Sequence, residues 1–276
     1  MGKTINILAL CCSLFAASAA FSQDGTAAVA PGSKYVALGS SFAAGPGVAS
    51  QLGTCGRSDH NYSHLVAAKL NLMLTDVSCN GATIANILDT PQNGAVPQIN
   101  AISRDTALVT VTIGGNDIRF TSSTFACSGT PASERCTANL DQAAITAALD
   151  QLPARLGTML DTIKARAPEA VIVLVTYPRV FPEDAISCSE IALSAADTNY
   201  LAALGEKLEA AFVSATASRQ SLIADAYVLG EGHGPCATTA RWVNGANVAD
   251  TGIRYHPTSS GHNEMARLVL AALGSD

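Results

Sequence analysis

The chain has 276 residues, 48% hydrophobic and 14% charged, which excludes a disordered chain outside the termini. A formal charge of -6 with no basic run excludes nucleic acid or an anionic membrane surface as the main partner. The length suits one large α/β domain or two small ones.

Residues 1–22 read as a secretory signal peptide. Lys3 supplies the positive start, residues 5–15 an apolar middle, and Ala17, Ser18, Ala19, Ala20 and Ser22 small residues for a peptidase. Cleavage after Ala19, Ala20 or Ser22 fits. The apolar middle is shorter than the ~20 residues of a spanning helix, and no later stretch qualifies, so no transmembrane segment is expected. A lipid anchor on Cys11 or Cys12 is the weaker alternative, because large or sulfur-bearing residues precede them. Residues 23–33 form a flexible leader, and the expected location is secreted, extracellular or periplasmic.

From residue 34 onward, strands and helices alternate. Residues 34–39 predict a first strand that stops at Gly39-Ser40-Ser41 and so delivers a hydroxyl to the carboxyl edge of a sheet. An ordinary strand-to-helix turn would also use Gly and Ser. Residues 61–72 have the apolar spacing of an amphipathic helix, 72–77 predict a second strand, and 82–88 a short helix before Pro91. Residues 107–113 are β-branched and almost uniformly apolar, a third strand halted by Gly114-Gly115. A loop holding Cys127 and Cys136 follows. Residues 140–167 then read as a helix, continuous or interrupted at Pro153, that Pro168 stops. Residues 170–176 predict a fourth strand, 194–217 a long helix, 221–226 a fifth strand and 258–273 a closing helix. This alternation predicts one domain, residues 34–276: a three-layer α/β/α sandwich with a central parallel sheet of about five strands, flavodoxin-like in kind.

Beyond the signal peptide lie Cys55, Cys79, Cys127, Cys136, Cys188 and Cys236. In an oxidising compartment an even set points to disulfides, and six cysteines allow fifteen pairings. Consecutive pairing is the economical choice: Cys55–Cys79, Cys127–Cys136 and Cys188–Cys236. Zinc competes weakly, because no close Cys-x-x-Cys pair is present.

Four loops end in residues suited to chemistry: Ser41, then Asn80-Gly81-Ala82-Thr83, then Gly114-Gly115-Asn116-Asp117, and last Tyr255-His256-Pro257-Thr258. A serine nucleophile needs a base, and a tetrahedral intermediate needs preorganised donors at its oxyanion. A serine, a histidine, an asparagine amide and a free glycine N–H supply that set.

In these four blocks the chain resembles the SGNH hydrolases of the GDSL esterase/lipase family, over about residues 34–273. The resemblance implies Ser41 as nucleophile and His256 as base, with the N–H groups of Ser41 and Gly81 and the Asn116 amide as oxyanion donors. The loops around Cys55-Gly56-Arg57-Ser58 and Trp242-Val243-Asn244-Gly245, with the six cysteines, resemble the secreted three-disulfide actinomycete-type branch. The sequence departs from the family at two places. Ser40 stands where the family usually has Asp. Three residues before His256, where a triad acid usually sits, is Ile253. Some members of that branch use a serine–histidine dyad in which a main-chain carbonyl orients the imidazole. The expectation here is such a dyad, with the carbonyl from Ile253 or Arg254 and Asp250 as the rival acid. No Gly-x-Ser-x-Gly elbow surrounds Ser41, which separates the chain from the usual α/β-hydrolases.

The implied function is a secreted carboxylic-ester hydrolase acting through a serine acyl-enzyme, without cofactor or metal. Its partner would be a small-molecule or lipid ester, and the expected state is a monomer. A noncatalytic carbohydrate- or lipid-binding module and an acyltransferase are the alternatives. An aromatic content of 5% and a single tryptophan, Trp242, leave little sign of a sugar-stacking platform. Among the remaining polar residues, His60, His64 and His233 read as solvated or structural, and His262 as capping or packing. Arg57 either braces its loop or meets an anionic substrate group.

Overall fold

A computed structural model describes Gly2 and residues 29–129, 134–182, 188–248 and 251–275. The signal-peptide reading and most of the leader lie outside these residues, as does Asp250.

The strands form where the apolar runs predict them. β1 (Lys34–Gly39), β4 (Met73–Asp76), β5 (Thr106–Thr112), β6 (Val171–Val175) and β7 (Leu222–Ala224) make one sheet in the order β4-β1-β5-β6-β7. All four pairings are parallel. Val36, Val109 and Ile172 stand side by side across three strands, with Leu38, Val111 and Leu174 in the next row, and all six are buried. A parallel sheet covered on both faces requires such near-continuous apolar strands.

The helices are α1 (Ser41–Ala44), α2 (Tyr62–Leu70), α3 (Ile84–Leu88), α4 (Phe120–Cys127), α5 (Gln142–Arg166), α6 (Ala195–Thr216), α7 (Ala226–Leu229) and α8 (Ser259–Ala272). α2 packs against α8 and α5 against α6, which gives the outer layers of a three-layer sandwich. A two-stranded antiparallel ribbon, β2 (Gln51–Leu52) and β3 (Arg57–Ser58), is added at the rim.

One open point is decided and one expectation is corrected. The helix over Pro153 is not interrupted: α5 runs unbroken for 25 residues with the proline inside it. Leu152, Leu156, Met159, Leu160 and Ile163 are all buried. At ~1.5 kcal/mol or more per side chain their packing outweighs the ~3 kcal/mol a central proline costs. The segment before Cys127 is not a loop but α4, whose Phe120, Ser123, Thr124 and Cys127 form a buried stripe. Its Ser and Thr content hides that helix from a propensity reading.

In chain order the sheet runs second, first, third, fourth, fifth strand, so the order reverses between β1 and β5. Open α/β sheets bind ligands outside the carboxyl ends of the strands at such a switch point. Ser41 follows β1 there and Asn116 follows β5.

Candidate active site

Gly39 ends β1 with φ 141°, and a Cβ at this position would lie 2.5 Å from the Thr112 carbonyl oxygen on β5. Only glycine can make this turn so close to the neighbouring strand. Gln98 braces the turn from the side: its Oε1 accepts the Gly39 N–H at 2.8 Å and its Nε2 donates to the Gly39 carbonyl at 3.0 Å. α1 starts at once with Ser41, whose N–H falls in a first turn and has no intrahelical acceptor.

Ser40, in the family's aspartate position, is fully buried with its hydroxyl 3.1 Å from Tyr177 Oη. The same phenol oxygen accepts the Gly115 N–H at 3.1 Å, so its own proton is free to reach Ser40. Burial pushes the Tyr177 phenol up to about 12, which keeps it a neutral donor. A Cβ on Gly115 would lie 2.9 Å from the Tyr177 ring, so this contact needs the second glycine of Gly114-Gly115. Two hydroxyls thereby link the nucleophile turn to the loop after β5.

That loop holds the next one through consecutive residues. Asn116 Nδ2 donates to the Ala82 carbonyl at 2.9 Å, which leaves its second amide hydrogen for a ligand. The Asp117 carboxylate accepts the Ile84 N–H at 3.1 Å and pairs with Arg155 at 2.7 Å. Burial pushes the Asp117 carboxyl up, against the opposing pull of Arg155. The loop carrying Gly81 is further fixed by the Thr83–Asn86 capping box at the start of α3. On its other side stands the Cys55–Cys79 disulfide, with Arg57 donating to the Ser78 carbonyl at 2.9 Å. Arg57 therefore braces the loop. Cys127 is bonded to Cys136 and Cys188 to Cys236.

His256 comes from the loop before α8. Tyr255 holds φ 55°, a costly conformation for a side chain of this size, and its hydroxyl donates to the Ile191 carbonyl at 2.7 Å. This arrangement aims the next residue inward. His256 is 1% exposed, with Nε2 2.8 Å from Ser41 Oγ and Nδ1 2.8 Å from the Arg254 carbonyl oxygen. A carbonyl can only accept, so Nδ1 carries the proton and Nε2 is the acceptor for the serine hydroxyl. Burial lowers the imidazole pKa to about 4, with the Arg254 carbonyl pulling the other way. Of the two carbonyls weighed for orienting the ring, that of Ile253 is occupied elsewhere. It accepts the His256 N–H at 3.3 Å and an Asn244 amide hydrogen at 3.3 Å.

The other histidines stand apart from this centre. His60 contacts Asp59 at 2.6 Å, His64 contacts Asn61 at 3.0 Å, and His233 stacks on Trp242 at 4.7 Å. His262 lies inside α8, where its Nδ1 accepts the Tyr62 N–H at 3.2 Å. Among the described residues no group of His, Cys, Asp and Glu side chains is arranged to hold a metal, and no helix is long and apolar enough to cross a membrane.

Several contributors escaped the sequence reading. Asp117 stands in the Gly114-Gly115-Asn116-Asp117 block, where its charge beside Asn116 is the visible signal. Tyr177 directly follows the run of strand 6, at the edge where ligands bind. Phe125, stacked 5.8 Å from His256, lies in a stretch whose composition reads as loop, and Gln98 carries no local signal at all. Each acts through a partner distant in the chain.

Residues 37–263 match the model of the GDSL-like Lipase/Acylhydrolase family. Lipase 2 of Streptomyces coelicolor is 33% identical over 276 aligned residues, which span 92% of this chain and 92% of the relative. The crystal structure of an extracellular lipase from Streptomyces rimosus superposes with a TM-score of 0.71 at 26% identity, covering 87% of this chain and 99% of the other. Phospholipase A1 from Streptomyces albidoflavus shares the fold, with a TM-score of 0.72 at 24% identity over 87% of this chain and 99% of that one.

Proposed function

Since the chain belongs to the GDSL-like lipase/acylhydrolase family and is a carboxylic-ester hydrolase, we propose that it works outside the cell through a Ser41 acyl-enzyme with His256 as general base. The observation that carries this reading is the 2.8 Å contact between Ser41 Oγ and His256 Nε2, with the opposite nitrogen held by a carbonyl. Nε2 takes the serine proton as Oγ bonds to the ester carbonyl carbon. The carbonyl oxygen gains negative charge and meets the N–H groups of Ser41 and Gly81 and the free Asn116 amide hydrogen. Nε2 then passes its proton to the leaving alcohol as the C–O bond breaks, which leaves the acyl group on Ser41. Water attacks next, its proton moves to Nε2, and the carbon–Oγ bond breaks as Nε2 returns a proton to Ser41. The Arg254 carbonyl keeps the right tautomer throughout but lacks the negative charge of a triad acid.

Export is supported by the character of residues 1–22, by three disulfides, and by the extracellular relative. In this reading residues 1–22 are removed and residues 34–276 act as one domain. Lipid or simple acyl esters are the favoured substrates, because the relatives are called lipases. The test is hydrolysis of a chromogenic short-chain ester by wild type, Ser41→Ala and Asn116→Ala. Ser41→Ala should be inactive and unlabelled by a fluorophosphonate, and Asn116→Ala should fold but lose about 10²–10³ in kcat. Full activity in Ser41→Ala would overturn the mechanism, and a wild type that neither turns over nor labels would favour a binding module.

A further inference from the structure

A base whose Nδ1 meets a carbonyl rather than a carboxylate leaves a physical question. Each proton transfer to Nε2 creates an imidazolium, and the Arg254 carbonyl offers that cation only a dipole. The ring is 1% exposed, so water contributes little. Among the described residues no carboxylate is hydrogen-bonded to it. The nearby ionisable groups do not help: His262 is another buried imidazole, and Arg254 is itself a cation.

Two aromatic rings lie against His256. The Phe42 centroid is 4.6 Å from the imidazole centroid with the planes tilted 35°, and the Phe125 ring is stacked at 5.8 Å and 18°. Both distances fall within the ~6 Å over which a ring quadrupole attracts a cation, an attraction that strengthens when water is excluded. Phe125 also attracts the Arg254 guanidinium, 5.6 Å from its centroid. The chain is poor in aromatics, with seven Phe, six Tyr and one Trp. Yet Phe42, Phe125, Tyr177, Phe181 and Tyr255 form one connected cluster around this histidine. Close packing alone could be met by Leu or Ile.

We infer that Phe42 and Phe125 stabilise the imidazolium form of His256 during turnover, doing part of the work that a carboxylate does in a catalytic triad. The two rings act through His256 and do not touch the reacting carbonyl, so they are positioning residues with an electrostatic role. The inference rests on the acyl-enzyme reading above.

The full-length protein with Phe125 replaced by mono-, di- and trifluorophenylalanine tests it, because fluorine drains the ring quadrupole with little change of shape. The logarithm of kcat should fall linearly along the series, to about tenfold below wild type at three fluorines, with KM and Tm unchanged. Cyclohexylalanine at the same position, bulky but without a quadrupole, should lose at least as much. A flat kcat across the series, or wild-type kcat with cyclohexylalanine, would overturn the inference. Ser41→Ala measured alongside separates the two levels. If it is dead and the fluorine series is flat, only the aromatic role fails; if it stays active, the acyl-enzyme reading fails and this inference with it.

Discussion

His256 and His262 are both buried, yet they live in different regions of the molecule with different prospects. One sits in a loop at the carboxyl edge of the sheet and the other inside α8, packed towards α2. Their exposures are 1% and 0%, and burial lowers their pKa values to about 4 and about 3. Burial and a perturbed pKa therefore do not tell a base from a core residue. The difference is what each nitrogen meets. His256 has a serine hydroxyl on Nε2 and a carbonyl on Nδ1. In His262, Nδ1 accepts a backbone N–H, so the neutral ring carries its proton on Nε2, which meets no acceptor among the described residues. A ring protonated at that nitrogen has no lone pair there to offer a nucleophile.

The largest expected effect breaks the symmetry directly. His256→Ala should lower kcat by about 10⁴–10⁶ while keeping the fold by circular dichroism. His262→Leu should keep kcat within about threefold and lose about 1–3 kcal/mol of stability, because the Tyr62 N–H is left without its acceptor. Equal loss of activity in the two variants would erase the distinction.

A second, smaller effect sharpens what the two rings share. Both histidines have folded pKa values below the ordinary ~6.5, so the unfolded chain binds two protons that the folded chain refuses. Their stabilising contribution is complete above about pH 6.5 and is lost as pH falls, down to about 4 for His256 and about 3 for His262. Glu209 works against them. Burial, with Asp225 beside it, pushes its carboxyl from 4.5 up to about 7, so over that interval the folded chain holds a proton the unfolded chain has released. Between about pH 4.5 and 6.5 these three groups leave a net uptake of one proton on unfolding, or about 1.4 kcal/mol lost per pH unit. Denaturant titrations should show the slope fall by about one proton's worth in His262→Leu and rise by about as much in Glu209→Gln. An unaltered slope in His262→Leu would mean that this ring titrates normally. The acid limb of kcat/KM, which needs neutral His256, should lie near pH 4.

The mildest change concerns the bridge that stands in for the family aspartate. Tyr177→Phe removes the acceptor of the Gly115 N–H and the partner of Ser40. It should cost about 1–3 kcal/mol in thermal unfolding and a few-fold in kcat with KM unchanged. Unchanged stability would show that the buried N–H finds another acceptor.

Much of this molecule is legible in its sequence. The five strands could be read because a doubly covered parallel sheet leaves long apolar runs such as Leu108-Val109-Thr110-Val111, and glycines mark where they must stop. Ser41 and His256, which the structure brings within 2.8 Å of each other, could be singled out because the four short blocks resemble those of the family. Helix α4 was not legible, since Phe120-Thr121-Ser122-Ser123-Thr124 has weak helix propensity and is held by packing. The continuity of α5 through Pro153 also depended on burial that composition does not reveal.

What the sequence determined by itself is local: which segments extend or coil, where the chain must turn, and which side chains carry a hydroxyl, an imidazole or an amide at those turns. Only the tertiary structure decided which carbonyl holds Nδ1 of His256, because Ile253 and Arg254 differ by one residue and both present a backbone oxygen. It also decided that Tyr177 answers Ser40 across 137 positions and that Phe42 and Phe125 flank the imidazole. Hydrogen bonds and ring contacts depend on distances of a few ångströms between chain-distant groups, and those distances exist only once the layers have packed.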